Sequence, residues 1–152
     1  MCRNAERGAA AVEFALLANV IFLILFGTIE FGFALYAQQA VVNASREGAR
    51  AGTVFQMVGG VPTKASDSDI KLAVAASLAA MGLKATPKVT LCDVVVPPVV
   101  TCGVALQNLT GQPTVLLAVT VSYPYVSITG LQTLLGIPNP MNLTASTVMM
   151  HE

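Results

Sequence analysis

The sequence predicts an α+β protein in which a long N-terminal helix with a transmembrane part precedes a small domain. Three observations support this class. All eight prolines lie at or beyond Pro62, a membrane-length apolar run precedes Arg46, and β-branched residues dominate the chain after Pro87. We expect the domain to pack a short helix on an antiparallel sheet of three or four strands.

The first element is a continuous helix over residues 9–58, about 75 Å long at 1.5 Å per residue. Its transmembrane part covers about residues 14–36, because a bilayer core needs about 20 apolar residues. A cleaved secretory signal has an apolar segment of only about 7–15 residues, so this helix is expected to remain as an anchor in the lipid bilayer. Arg3 and Arg7 place the N-terminus in the cytoplasm.

Beyond the membrane the same helix carries a stripe of small side chains at three- and four-residue spacing. The stripe consists of Ala37, Ala40, Ala44, Gly48 and Ala51. Two interpretations stay open, and they are compatible with each other. The stripe seats the protein's own domain, or it contacts neighbouring subunits, or it does both.

The extracytoplasmic α+β domain is expected to cover residues 59–152. "VGGVPTKASDSD" indicates a linker or turn, and Ser66 and Asp69 within it resemble a capping box, with Asp in place of Glu. The short helix then runs to about Met81, with Gly82 as its C-cap. Its apolar stripe is Ile70, Val74, Leu78 and Met81. The expected strands are "KVTLCDVVV", "VVTCGVAL", "TVLLAVTVSYPYV" and "NLTASTVMM".

Two cysteines flank Pro97-Pro98. Cys92 and Cys102 lie ten residues apart, a spacing that suits a disulfide across a hairpin or loop. The alternative is two buried free thiols, but the expected placement outside the cytoplasm favours the disulfide. Such a short loop gives about 3 kcal/mol of stabilisation in the chain-entropy model.

The composition and the absence of a recognisable catalytic pattern argue against several functions. Hydrophobic residues make up 55% of the 152 residues, charged residues 11%, and the net charge is zero. No basic patch indicates nucleic acid, so we expect no nucleic-acid partner. His151 is the single histidine and lies at the extreme terminus. Asp67 and Asp69 are interpreted as helix-capping residues. We therefore expect no enzyme, no cofactor and no metal.

The stretches "GAAAVEFALL" and "FGTIEFGFALYAQQAVVNASREGARAG" resemble the TadE-like pseudopilins of tight-adherence (Flp/Tad) type IV pilus systems, from about Arg7 to Gly52. The resemblance implies that a prepilin peptidase cuts between Gly8 and Ala9 and removes the leader, residues 1–8. It implies a minor pilin or pseudopilin that takes part in assembling a Tad-type pilus for surface adherence.

The resemblance also implies partners and a location. The partners are the prepilin peptidase, other pilin or pseudopilin subunits, and the pilus assembly platform in the membrane. The location is the bacterial inner membrane, crossed once, with the N-terminus cytoplasmic and the C-terminal domain periplasmic, and with incorporation into an extracellular pilus as a further step.

Two carboxylates on the helix need an explanation, since a charge in hydrocarbon is costly. With the resemblance, we favour pairing of Glu13 with the Ala9 ammonium of a neighbouring subunit, which would set the axial register. The alternative is a Glu that complements the helix dipole, worth about 0.3–1 kcal/mol. Glu30 is interpreted as a solvated interfacial carboxylate, or else as a contact to a partner pseudopilin or platform protein.

Two other functions remain as rivals. The first is a signal-anchored extracytoplasmic binding domain that is never processed, and the mass of the mature protein would distinguish it. The second is a membrane-anchored enzyme, which the absence of a recognisable site disfavours.

Overall fold

The computed structural model of the protein describes residues 3–58, 60–95, 99–102, 115–134 and 136–150. It confirms the predicted α+β class. In chain order the elements are α1 (Arg3–Thr53), β1 (Phe55–Val58), β2 (Val61–Lys64), α2 (Asp67–Ala80), β3 (Lys88–Val95), β4 (Val99–Cys102), β5 (Val115–Tyr125), α3 (Leu131–Leu134) and β6 (Met141–Met150).

The main sheet has four antiparallel strands in the order β4-β3-β5-β6. Alternate residues of the central strand β5 are buried, as expected for a strand with one face on the core. These residues are Leu117, Val119, Val121, Tyr123 and Tyr125. This face packs with α1 and α2 into one hydrophobic core. The two helices therefore cover the same side of the sheet.

The start of α2 is the predicted capping box. The Ser66 hydroxyl accepts a hydrogen bond from the Asp69 amide at 3.3 Å, and the Asp69 carboxylate accepts one from the Ser66 amide at 3.0 Å. Ile70, Val74 and Leu78 form the buried stripe of the helix, as predicted. Met81, predicted as the fourth residue of the stripe, is instead the C-cap in place of Gly82 and is half-buried. Gly82 follows it with φ +78°, a conformation that glycine adopts without strain.

The end of α1 differs from the prediction. The helix stops at Thr53 rather than Val58, and residues 55–58 form strand β1, which pairs with β2 in a separate two-stranded hairpin. Gly60 has φ +83° in the connecting turn. The stretch interpreted as a linker or turn thus contains the turn and the second strand of a hairpin. Gly59-Gly60 between two short apolar segments is the sequence signal for such a turn. At its other end α1 begins at Arg3, before the predicted start at Ala9.

The two halves of α1 have different surroundings. Between Gly8 and Ile29 every residue is exposed except Ala18 and Gly27, which are half-buried. Glu30 is the first buried residue, and from there one face of the helix is covered by the domain. The exposed half includes an 18-residue window with a mean hydropathy of 2.4, long and apolar enough to span a membrane.

Candidate functional site

The small-residue stripe of α1 is the seat of the protein's own domain. Ala37, Ala40 and Ala44 are at most 1% exposed, Gly48 is buried and Ala51 is half-buried. A Cβ added to Gly48 would lie 2.5 Å from the Val74 side chain, so α2 approaches the backbone of α1 closely. Of the two interpretations, the structure gives the first. Four of the five residues are covered by the domain, so only Ala51 keeps exposed surface for a neighbouring subunit, and that contact stays a prediction.

Gly52 lies one helical turn beyond Gly48 on the same face of α1. It was not included in the predicted stripe. A Cβ at this position would collide with the side chains of Leu117 and Ile70, one from the sheet and one from α2. Its spacing of four residues from Gly48 was the available signal. Glycine at positions 48 and 52 lets α1, α2 and the sheet meet near the C-terminal end of α1.

Polar contacts tie α1 to the domain along its second half. The Tyr36 hydroxyl donates to the Met81 carbonyl at 3.0 Å, and the side-chain amide of Gln38 donates to the Thr144 carbonyl at 3.2 Å. Further along, the hydroxyl oxygens of Ser45 and Thr147 lie 2.8 Å apart. Ser45 is fully buried and also donates to the Val42 carbonyl. The domain is therefore fixed to the helix in one register.

Glu30 lies at the end of this interface that is nearer to the N-terminus of α1. We call Glu30, Tyr125, Ile128 and Thr129 the Glu30 cluster. One carboxylate oxygen accepts hydrogen bonds from the Tyr125 hydroxyl at 2.9 Å and the Ile128 amide at 3.3 Å. The other oxygen accepts from the Thr129 amide at 3.0 Å and the Thr129 hydroxyl at 2.8 Å. Glu30 is only 6% exposed.

Among the described residues, the Glu30 cluster surrounds the carboxylate with hydrogen-bond donors from the same chain. Hydrogen bonds to an ionised acceptor are shorter and stronger than neutral ones, and four of them offset much of the cost of burial. Tyr125 is held in its neutral form as a result. Burial, with the neighbouring Glu30 carboxylate, raises the pKa of Tyr125 to about 12.

The alternative interpretation of Glu30, a contact to a partner protein, needs a second chain and stays a prediction. The interpretation as a solvated carboxylate was wrong, because Glu30 is only 6% exposed and the loop after β5 of the same chain surrounds its side chain. The position of Glu30 on the helix was the sequence signal for its burial. Glu30 precedes Ala34 and Ala37 at four- and three-residue spacing, so it begins the same helix face as the stripe.

The predicted processing motif, residues 8–13, lies on the exposed half of α1. Gly8, Ala9 and Glu13 are all exposed, and a Cβ added at Gly8 would meet nothing within 4 Å. Ala9 and Glu13 are one helical turn apart, so both lie on the same side of the helix. Pairing between Glu13 and the Ala9 ammonium of another subunit stays a prediction, since it needs a second chain.

The predicted cysteine pair lies on neighbouring strands. Cys92 of β3 is directly opposite Cys102 of β4, and the two sulfur atoms are at bonding distance. The pair joins the edge strand of the sheet to its neighbour. The Pro97-Pro98 segment between them lies outside the described residues.

The described residues include no group of three or more His, Cys, Asp or Glu side chains that could hold a metal ion. Asp67 and Asp69 lie in the first turn of α2, where a carboxylate complements the helix dipole. The Ser66 hydroxyl and amide hold the pKa of Asp69 below its ordinary value. The absence of catalysis stays a prediction.

Comparison with known proteins agrees with the resemblance in the sequence. The model of the TadE-like protein family matches residues 8–50, which confirms the resemblance over that segment. No curated protein and no solved structure gives a significant match to the chain. The matched segment begins at the glycine of the processing motif and covers both the exposed and the domain-bearing half of α1.

Proposed function

We propose that the chain is a pilin-like structural subunit, a minor pilin or pseudopilin that takes part in assembling a Tad-type pilus for surface adherence. The observation that carries the proposal is the division of α1 within the family match. Its first half is apolar and uncovered, and its second half carries a domain. Such a subunit offers one helix for packing with other helices and one domain for contacts outside the membrane.

The division of the helix also supports a topology. Residues 9–29 are about 30 Å long at 1.5 Å per residue, which matches the hydrocarbon thickness of a bilayer. We therefore place the span there rather than at 14–36, because from Glu30 onwards the domain covers one face. In this topology the N-terminus is cytoplasmic and the domain periplasmic, at the inner membrane of a bacterium.

The proposed partners follow from the same division. A prepilin peptidase would cut between Gly8 and Ala9. Other pilin or pseudopilin subunits would pack against the exposed half of α1, and a platform protein in the membrane would support assembly. Helix association in lipid depends on close packing and on satisfied polar groups rather than on a hydrophobic driving force. The role requires no catalysis and no cofactor.

Processing gives the first test. Protein from a host with the matching peptidase should begin "AAAVEFALL", and Gly8→Val should keep the leader. A side chain at Gly8 meets nothing within 4 Å, so failure to cleave would reflect recognition rather than misfolding. Gly32→Val is the matched control because Gly32 is equally open, and it should be cleaved normally. The readouts are N-terminal sequencing and mass.

The rival function predicts a different result. A signal-anchored binding domain that is never processed would keep "MCRNAERG" in the presence of the peptidase, with or without the substitution at Gly8. That result would remove the pilin role and leave the membrane anchor in place.

A further inference from the structure

The loop between β5 and β6, residues 126–134 and 136–140 as described, is fixed at the height of the membrane boundary on α1. The Glu30 carboxylate holds the amides of Ile128 and Thr129, so this part of the loop cannot lie more than a side-chain length from Glu30. Glu30 directly follows Ile29, the last residue of the proposed span. The loop is therefore placed where the hydrocarbon ends.

Both flanks of the loop share cavities with α1 at this height. Ile137 lines a cavity of about 320 Å³ together with Gly27 and Phe31. On the other flank, Ile128 lines a cavity of about 360 Å³ together with Phe33 and Tyr36. The interfacial region of a bilayer is about 5–7 Å deep on each side, roughly one helical turn. Residues level with 30–33 of α1 are within that depth, and Gly27 lies just inside the hydrocarbon.

The loop exposes apolar side chains at this height. Val126 is 60% exposed, Ile128 63% and Ile137 42%. The sequence surrounding them is uncharged over its whole length, since residues 94–150 contain no Asp, Glu, Lys, Arg or His. An uncharged loop with protruding apolar side chains gains free energy in an interface and loses none by desolvation of ions.

From these observations we infer that the β5–β6 loop rests in the outer headgroup region of the bilayer that α1 crosses. The inference rests on the membrane anchor of the proposed function but not on assembly into a pilus. The occupant is lipid because the loop surface is continuous with the exposed half of α1. The Glu30 cluster then joins the span, the loop and the sheet at one point and fixes the tilt of the domain on the membrane.

The absence of tryptophan from the sequence makes a direct test possible. Single tryptophans are introduced in the full chain as Ile21→Trp, Ile128→Trp and Leu72→Trp, and each variant is reconstituted at low density in phosphatidylethanolamine–phosphatidylglycerol vesicles. Leu72 is the matched control because it is 70% exposed on α2 and lies between Ile70 and Val74, which pack at the level of Gly52 and Gly48, far from Glu30. Quenchers are nitroxides on the lipid headgroup or bromines on the acyl chain.

The expected pattern has three parts. Ile21→Trp loses most of its fluorescence to brominated chains, Ile128→Trp loses most of its fluorescence to headgroup nitroxides, and Leu72→Trp responds to neither. Val126→Trp repeats the measurement at a second exposed position of the loop, in case the substitution at Ile128 disturbs the Glu30 cluster.

The other outcomes overturn the inference in distinguishable ways. If both loop tryptophans are unquenched while Ile21→Trp is quenched, the loop is not in the interface and the anchor stands. If Leu72→Trp is quenched as strongly as the loop positions, the whole domain lies on the membrane and the loop has no special contact. If Ile21→Trp is unquenched, the membrane anchor is wrong, and the inference fails with it.

Discussion

Glu13 and Glu30 lie on the same helix, and their surroundings differ completely. Glu13 is exposed among large apolar side chains, whereas Glu30 is buried and accepts four hydrogen bonds from its own chain. A carboxylate in an apolar setting needs partners. The structure supplies them for Glu30 within one subunit. We propose that Glu13 finds its partner only when a second subunit is present.

The largest expected effect is that of Glu13→Ala on the assembly of subunits. Glu13→Ala should leave the chain folded, inserted and cleaved, but a neighbouring Ala9 ammonium would lose its partner. Breaking a buried ion pair costs about 3–5 kcal/mol, so co-purification of tagged and untagged subunits from membranes should fall sharply. Glu47→Ala is the matched control, since Glu47 is exposed on the domain-bearing half of the same helix.

Two results would contradict the role of Glu13 in register. Normal co-purification of the Glu13→Ala subunit would make the carboxylate a helix-start residue. Retention of the leader, seen as an unprocessed mass in parallel, would assign it to recognition by the peptidase instead.

Glu30→Ala should have the opposite phenotype, with the defect inside one subunit. The amides of Ile128 and Thr129 and the hydroxyl of Tyr125 would lose their acceptor, at a cost of about 1–3 kcal/mol for such a buried group. Hydrogen exchange of the β5 and loop amides in the full chain should speed up. Glu30→Gln, which keeps an acceptor oxygen, should be milder. Unchanged protection in both variants would mean that the cluster contributes nothing to docking.

A smaller effect on stability is expected when a glycine of α1 that the domain covers is compared with one that has open space. In Gly52→Ala the new Cβ collides with Leu117 and Ile70, and overpacking costs about 1–3 kcal/mol. The gain in helix propensity returns up to about 1 kcal/mol, so the domain should be less stable. Gly32→Ala has open space and should be neutral or stabilising. Chemical unfolding of both variants in detergent is the measurement, and equal midpoints would contradict the close approach.

The smallest effect is a dependence on alkaline pH. The pKa of Tyr125 is raised to about 12 from 10.0, so the folded state holds this proton more tightly than the unfolded state. The stability linked to this group is therefore intact below pH 10 and is lost as the pH rises from about 10 to about 12. Tyr125→Phe should lose stability less steeply over that window. Parallel unfolding curves for both proteins would refute the coupling.

Much of the fold could be predicted from local patterns. The capping box of Ser66 and Asp69, the buried stripe of α2 and the strand segments follow from spacing within a few residues. The end of α1 could not be predicted in this way. Residues 54–58 contain no proline or glycine, so a helix is not excluded there. Gly59-Gly60 after them is compatible with either a helix end or a hairpin turn, and pairing with residues 61–64 decides the structure. Elements that depend on a distant partner are the ones that periodicity misplaces.

The sequence by itself determined the long helix, its apolar first half and the α+β class, because each depends on composition or on short spacing. Only the tertiary structure decided which surface covers the small-residue stripe, which strand order the sheet adopts, and what satisfies Glu30. Periodicity identifies a helix face but not the chain segment that covers it. The partners of Glu30 lie almost a hundred residues away, so only packing brings them together.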